Sequence, residues 1–309
     1  MSPAPDASNT SSQGNPHNVD LIQRDAHLAE ADRALIAQIG KKVDSGKLEL
    51  PQLPSTSSAV IAMSNDPKAE IGDIVELIRS DPTLSTDLLK TANSAAYSGQ
   101  AQIETIRDAV ARLGMRRLRS LIFAASMRSV MKGPKVIMDY ASELWRQSNS
   151  VAAISRNIAS MVGLDGEKTF LVGLLHDVGK IPVLRMLCDE ARQRGDMDPM
   201  IVGTAFHRFH EKAGQAMAEA WNLSDELCAV AGCHHDFESN EGFAQTAALV
   251  NLAHKLDLYL SAGDSASFRD PGLYDELSFL GLDKQQVAKL FDKAEDTYFE
   301  MHPAQREAA

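Results

Sequence analysis

The sequence predicts an all-α protein. Three observations lead there. Apolar residues recur at spacings of three and four along most of the chain, the period of a helix with one buried face. No stretch shows the strict apolar–polar alternation of a half-buried strand. Ala, Leu, Met and Ile are frequent while aromatics are only 6%, a composition that leans towards helix.

The elements follow in order. Residues 1–24 are rich in Ser, Pro, Asn and Gln and predict a disordered tail. Residues 25–49 predict an N-terminal helix, with Leu28, Leu35, Ile36 and Ile39 on one face, ended by Gly46 and Pro51. From Leu50 onward helices succeed one another with short links. One spans 55–63 and closes at the turn Asn65-Asp66-Pro67. The next carries Ile71, Ile74, Val75 and Ile78. Asp81-Pro82 opens another, since proline suits the first helical position, and Leu84, Leu88 and Leu89 carry it to Asn93. A helix over 106–113 closes at Gly114, and a longer one over 115–130 follows. Gly133-Pro134 divides this first lobe from a second. There the period gives helices over 140–161, 167–177, 180–193, 207–221, 224–235 and 243–260. A polar, Gly/Ser-rich break over 261–271 precedes a last helix over 284–298.

Charge and composition narrow the function. The chain of 309 residues carries a net charge of -11, which argues against bulk nucleic-acid binding. No run approaches the roughly 18 apolar residues of a membrane span, and the N-terminus lacks the basic and apolar regions of a signal peptide. Cys188, Cys228 and Cys233 are too few and too irregular for a disulfide framework. A reduced, cytoplasmic location is the expectation.

The most informative stretch is Gly173-Leu174-Leu175-His176-Asp177-Val178-Gly179-Lys180. It puts an imidazole and a carboxylate side by side at the end of an apolar helix, where burial without partners is costly. Candidate partners are His207, His210, His234, His235 and His254; beside Arg208, His207 is expected at the surface. A second cluster, Arg112, Arg116, Arg117 and Arg119, surrounds Gly114. Cations in a helix's first turn oppose its dipole, so these arginines predict either an anionic partner or a solvated face with Asp/Glu counterions.

Several further motifs stand along the chain: Leu50-Pro51-Gln52-Leu53-Pro54, Ser80-Asp81-Pro82-Thr83-Leu84 running on to Asn93-Ser94-Ala95, and Ile103-Glu104-Thr105-Ile106 with Leu113-Gly114. Leu144-Trp145-Arg146, the His-Asp stretch, His210 with Gly214 and Trp221, and His234-His235 complete the series. Together, and in this order over 50–260, they resemble the HDOD domains, the HD-related output domains of bacterial signalling proteins. The lobe boundary then falls near 133, with a helical unit before and a helical extension over 261–309 after.

The resemblance implies a two-lobed helical fold whose second lobe is a relative of the HD phosphohydrolases. It places His176, Asp177, His210, His234, His235 and His254 around a remnant metal site. Gln147 stands where the first histidine ligand is expected, and His254 where a distant aspartate is expected. Asp177 is then the one matched carboxylate, too little charge for two hydrolytic metals. The expectation is a non-catalytic regulatory module acting on a signalling protein. Its alternatives are a metal-dependent phosphohydrolase for a nucleotide or cyclic dinucleotide, and a receptor for a phosphorylated ligand. No cofactor is expected beyond a single divalent transition metal (Fe, Mn, Zn or Ni) on His176, Asp177 and His254. Without a metal, Asp177 is expected to accept hydrogen bonds from histidine or from backbone amides near Gly179, and Lys180 to be solvated.

Overall fold

The computed structural model describes residues 28–66, 68–94, 102–131, 134–195, 197–240, 242–262 and 271–306. Every regular element among them is helical. The expected tail over 1–24 and most of the break over 261–271 lie outside the described residues.

The first helices run α1 (Glu30–Asp44), α2 (Ser55–Asn65), α3 (Ile71–Arg79), α4 (Pro82–Ala92) and α5 (Ile106–Val130). Asp81 caps α4 by accepting from the amides of Thr83 and Leu84, with Pro82 at the first position. Within α5, Gly114 takes φ 72° and ψ 171°, so the helix breaks where the sequence places a boundary. A positive φ of that kind favours glycine.

The remaining elements are α6 (Lys135–Ala159), α7 (Gly166–Leu175), α8 (Lys180–Arg194), α9 (Pro199–Ala220), α10 (Asp225–Cys233), α11 (Ala244–Ser261), α12 (Tyr274–Phe279), α13 (Lys284–Met301) and α14 (Pro303–Arg306). Two of them start earlier than the apolar period suggests. α6 begins directly after Pro134, and α9 begins at Pro199 with the Asp198 side chain capping the amide of Met200. The Asp-Pro start signal of α4 is thus repeated at α9, upstream of the residues whose period is easiest to see.

A continuous apolar core links the helices on both sides of residues 132–133, from Val60 and Ile78 to Leu175, Val230 and Leu252. α1 docks on α9 through Ile36, Ile39 and Val43; a Cβ at Gly40 would lie 3.2 Å from the Phe209 ring, so glycine permits that close approach. The Trp221 indole N–H donates to the Pro51 carbonyl at 2.8 Å and ties the end of α9 to the start of the segment before α2. At the other end, α13 packs on α6 and α11.

The second half is assembled by backbone contacts that only glycine allows. A Cβ at Gly173 would meet Ser155 Oγ at 2.9 Å and Ala152 Cα at 3.1 Å, which draws α7 tightly onto α6. A Cβ at Gly179 would meet the His210 carbonyl at 1.9 Å and the Gly214 amide at 2.3 Å. At Gly214 it would meet the Ala231 carbonyl at 2.6 Å. The turn after α7, the middle of α9 and α10 are therefore stacked backbone on backbone.

Candidate metal centre

That stack brings distant residues to one place. His176 and Asp177 occupy the turn between α7 and α8; His210 comes from α9, His234 and His235 from the end of α10, and His254 from α11. His176, Asp177, His210, His234 and His254 are buried, whereas His235 opens to solvent. Ring centroids lie 4.9 Å apart for His176–His254, 5.0 Å for His176–His234, 5.2 Å for His210–His234 and 5.1 Å for His210–His235. Asp177 sits among them, with Oδ2 3.2 Å from His176 Nε2 and Oδ1 3.5 Å from His210 Nε2 and 3.7 Å from His234 Nε2. His207 is exposed, as the sequence suggests.

The imidazole orientations follow from acceptors that cannot donate. His176 Nδ1 donates to the Gly173 carbonyl at 2.7 Å, His210 Nδ1 to the Phe206 carbonyl at 2.6 Å, and His234 Nδ1 to the Val230 carbonyl at 3.2 Å. A backbone carbonyl on the second ring nitrogen is the usual way a protein fixes a metal-binding histidine. All three Nε2 atoms then face Asp177 with lone pairs, not protons. Burial depresses the His210 pKa to about 3 and holds His234 and His254 well below the ordinary value, so these rings are neutral near pH 7. Burial also works to raise the Asp177 carboxyl, but the Lys180 ammonium beside it outweighs that and keeps it well below the usual range.

Among the buried side-chain atoms of the described residues that lack a hydrogen-bond partner, three lie in this pocket: Asp177 Oδ1, His210 Nε2 and His234 Nε2. All three are acceptors, and both ring nitrogens face the carboxylate oxygen. Nothing in the protein can satisfy acceptors with acceptors; a cation can. Ligating atoms of His176, Asp177, His234 and His254 lie within 4.8 Å of one another, and so do those of His210, Glu211, His234 and His235. The cluster can therefore hold a metal.

Several expectations need correction. Asp177 accepts from no backbone amide near Gly179; its described donor is Lys180, whose ammonium lies 2.5 Å from Oδ2. Lys180 is accordingly not solvated: its side chain is only 13% exposed. Asp177 is also not the only carboxylate at hand. Glu211 Oε1 accepts from the His235 amide at 2.9 Å and lies 3.8 Å from His234 Nδ1. Burial pushes its carboxyl up, against the pull of the His235 amide. Its sequence signal was present, because His210-Glu211 repeats the imidazole–carboxylate adjacency of His176-Asp177.

The residues standing at expected ligand positions also have partners. Gln147 Nε2 lies 3.3 Å from His254 Nε2, and His254 Nδ1 lies 3.2 Å from His176 Nε2. Behind them, Arg146 makes a bidentate pair with buried Asp257 at 3.1 and 3.0 Å. Asp257 therefore faces away from the pocket towards α13 and His302.

Within the arginine cluster of Arg112, Arg116, Arg117 and Arg119, expected as an anionic-partner patch or a solvated face, two side chains have acidic counterions in the chain. Arg116 pairs with Asp165 at 2.7 Å and Arg117 with Glu167 at 2.8 Å, joining the second part of α5 to the first turn of α7. Arg119 donates to the Ser64 carbonyl at 2.9 Å.

The HDOD domain model matches residues 50–237. The chain belongs to the HDOD family. The match takes in every pocket residue except His254, which α11 supplies from beyond its end. An HDOD domain protein with unknown function from Geobacter sulfurreducens is 26% identical, with 85% of this chain and 97% of that one covered and a TM-score of 0.59. A candidate metal-dependent phosphohydrolase from Shewanella amazonensis shares the fold at 20% identity, with 87% and 100% covered and a TM-score of 0.66. An uncharacterized protein of Treponema pallidum is 26% identical over 75% of this chain. The chain spans about half the length of that curated relative, 46%. No described helix is long and apolar enough to cross a membrane.

Proposed function

We propose that this HDOD protein is a regulatory module that binds a signalling protein and holds one divalent transition metal without hydrolysing phosphoesters. We take the functional unit to be 50–260, with α1 and α13 packed on its helices α9, α6 and α11. The observation that carries the reading is the unequal pocket. Asp177 Oδ1, His210 Nε2 and His234 Nε2 have no hydrogen-bond partner, while Gln147, His254 and Lys180 line the opposite side.

His210, His234 and Asp177 would hold the metal, with Glu211 and His235 at the rim. Imidazole-rich sets suit Zn, Fe and Ni better than Mg, which prefers oxygen ligands. A metal bound there supplies positive charge and can lower the pKa of a bound water from about 15.7 towards 7. The protein's own part is to fix the His210 and His234 imidazoles through backbone carbonyls. What it does not offer is a second open set of ligands for a paired metal.

The phosphohydrolase reading retains one favourable observation, the second carboxylate of Glu211. The test is turnover of bis(p-nitrophenyl) phosphate, cyclic dinucleotides and nucleoside phosphates with Mg²⁺, Mn²⁺, Fe²⁺ or Zn²⁺. No rate above that of a His176→Ala/Asp177→Ala variant is expected. Metal-dependent turnover lost in that variant would replace the regulatory reading with the hydrolytic one.

A further inference from the structure

Resting on that one-metal reading, we propose that the Lys180 ammonium is a resident cation that takes a metal's place on the His176–His254 side of the pocket. It thereby sets the metal stoichiometry of the protein at one.

Lysine can only donate, so the Gln147 amide oxygen faces Lys180 Nζ, at 3.4 Å. This orientation turns the Gln147 NH₂ towards His254 Nε2, at 3.3 Å, which must accept. Neutral His254 then carries its proton on Nδ1 and donates it to His176 Nε2, at 3.2 Å. His176 in turn donates from Nδ1 to the Gly173 carbonyl. Every link from the ammonium to the backbone runs in one direction.

This chain uses the lone pairs a metal would need on that side. None of Lys180, Gln147, His176 or His254 has a buried polar atom without a partner, and Asp177 is divided: Oδ2 faces Lys180 while Oδ1 faces nothing that donates. Yet the space is ion-sized, since the ligating atoms of His176, Asp177, His234 and His254 lie within 4.8 Å of one another. Lys180 is the first residue of α8, where a cation opposes the helix dipole. Asp177 Oδ2, Gln147 Oε1 and the Phe206 ring, 5.7 Å from the ammonium, hold it there nonetheless. One elementary charge thus sits beside Asp177 Oδ2, the carboxylate oxygen that a metal on the His176–His254 side would bind.

Removing the charge should open that side. Tagless wild-type protein, Lys180→Met and Lys180→Arg are stripped, loaded with Co²⁺, desalted and assayed for metal per chain, with circular dichroism as the check on folding. Wild type and Lys180→Arg should hold one Co²⁺ per chain, and Lys180→Met two. Lys180→Gln is the substitute if Lys180→Met does not fold, because it keeps a polar tip without the charge. One Co²⁺ in wild type and still one in the folded neutral variant would overturn the Lys180 proposal and leave the one-metal reading standing. No Co²⁺ in wild type with one gained in the neutral variant would sink the one-metal reading and support the resident cation. No Co²⁺ in any form would overturn both.

Discussion

The two sides of the pocket are built from the same residue types and end in opposite states. On the side of His176 and His254, each donor meets an acceptor, from Lys180 through Gln147 to the Gly173 carbonyl. On the side of His210 and His234, the imidazoles are oriented just as firmly by their own helices, but their free nitrogens face a carboxylate oxygen that cannot donate to them. A buried polar atom left unsatisfied costs about 1–3 kcal/mol. Three of them pointing together are hard to explain as packing and simple to explain as ligands. Orientation alone therefore does not mark a metal site; unmet ring nitrogens that converge on one carboxylate oxygen do.

The largest effect should come from the stack that creates both sides. Gly179→Ala puts a methyl group 1.9 Å from the His210 carbonyl, and backbone cannot yield as a flexible side chain would. We expect loss of the folded protein, read as an absent cooperative melt; a near-normal melting temperature would mean that the turn and α9 are not in that contact. Asp177→Ala comes next. It removes the partner of a largely buried ammonium, and the metal-free protein should lose roughly 1–3 kcal/mol in chemical denaturation. An unchanged denaturation midpoint would show that Lys180 finds solvent, contrary to its place in the pocket.

Acid should distinguish the buried rings from ordinary surface histidines. The folded protein keeps His210 neutral down to about pH 3, whereas the unfolded chain takes up that proton near pH 6.5. Between these values the unfolded state binds more protons, so stability falls as pH falls, by about 1.4 kcal/mol per pH unit for this residue well inside the window. Denaturation of metal-free protein at pH 7, 5.5 and 4.5 should show the loss, and His210→Gln should make the slope shallower. An identical slope in that variant would contradict the buried, neutral ring. The smallest effect is expected far from the pocket. Arg116 is 63% exposed, so Arg116→Ala should cost no more than about 0.5 kcal/mol, and less in high salt.

Much of this was legible in the sequence, for identifiable reasons. Helical period and Asp-Pro or Gly punctuation are local properties, and they located α3, α4, the Gly114 break and α11 closely. The same logic missed the start of α9, because Asp198-Pro199 precedes the residues with the clearest period. The histidines that share the pocket could be named from the order of motifs. Their division into two states could not. Whether Lys180 meets solvent or Asp177 depends on where α6 places Gln147 and α9 places Phe206, and those distances are set by glycine contacts between helices. Glu211 was in view beside His210, but its relevance depends on the end of α10 folding back so that the His235 amide reaches it.

The most direct test of the unequal pocket is Co²⁺ binding by wild type, His210→Ala and His254→Gln, followed through the d–d absorption of the bound ion. Cobalt on imidazole and carboxylate ligands gives a visible spectrum that reports its immediate ligands. The account predicts one Co²⁺ per chain in wild type and in His254→Gln with nearly the same spectrum, and none in His210→Ala. Metal retained in His210→Ala but lost in His254→Gln would place the ion on the His176–His254 side and contradict it.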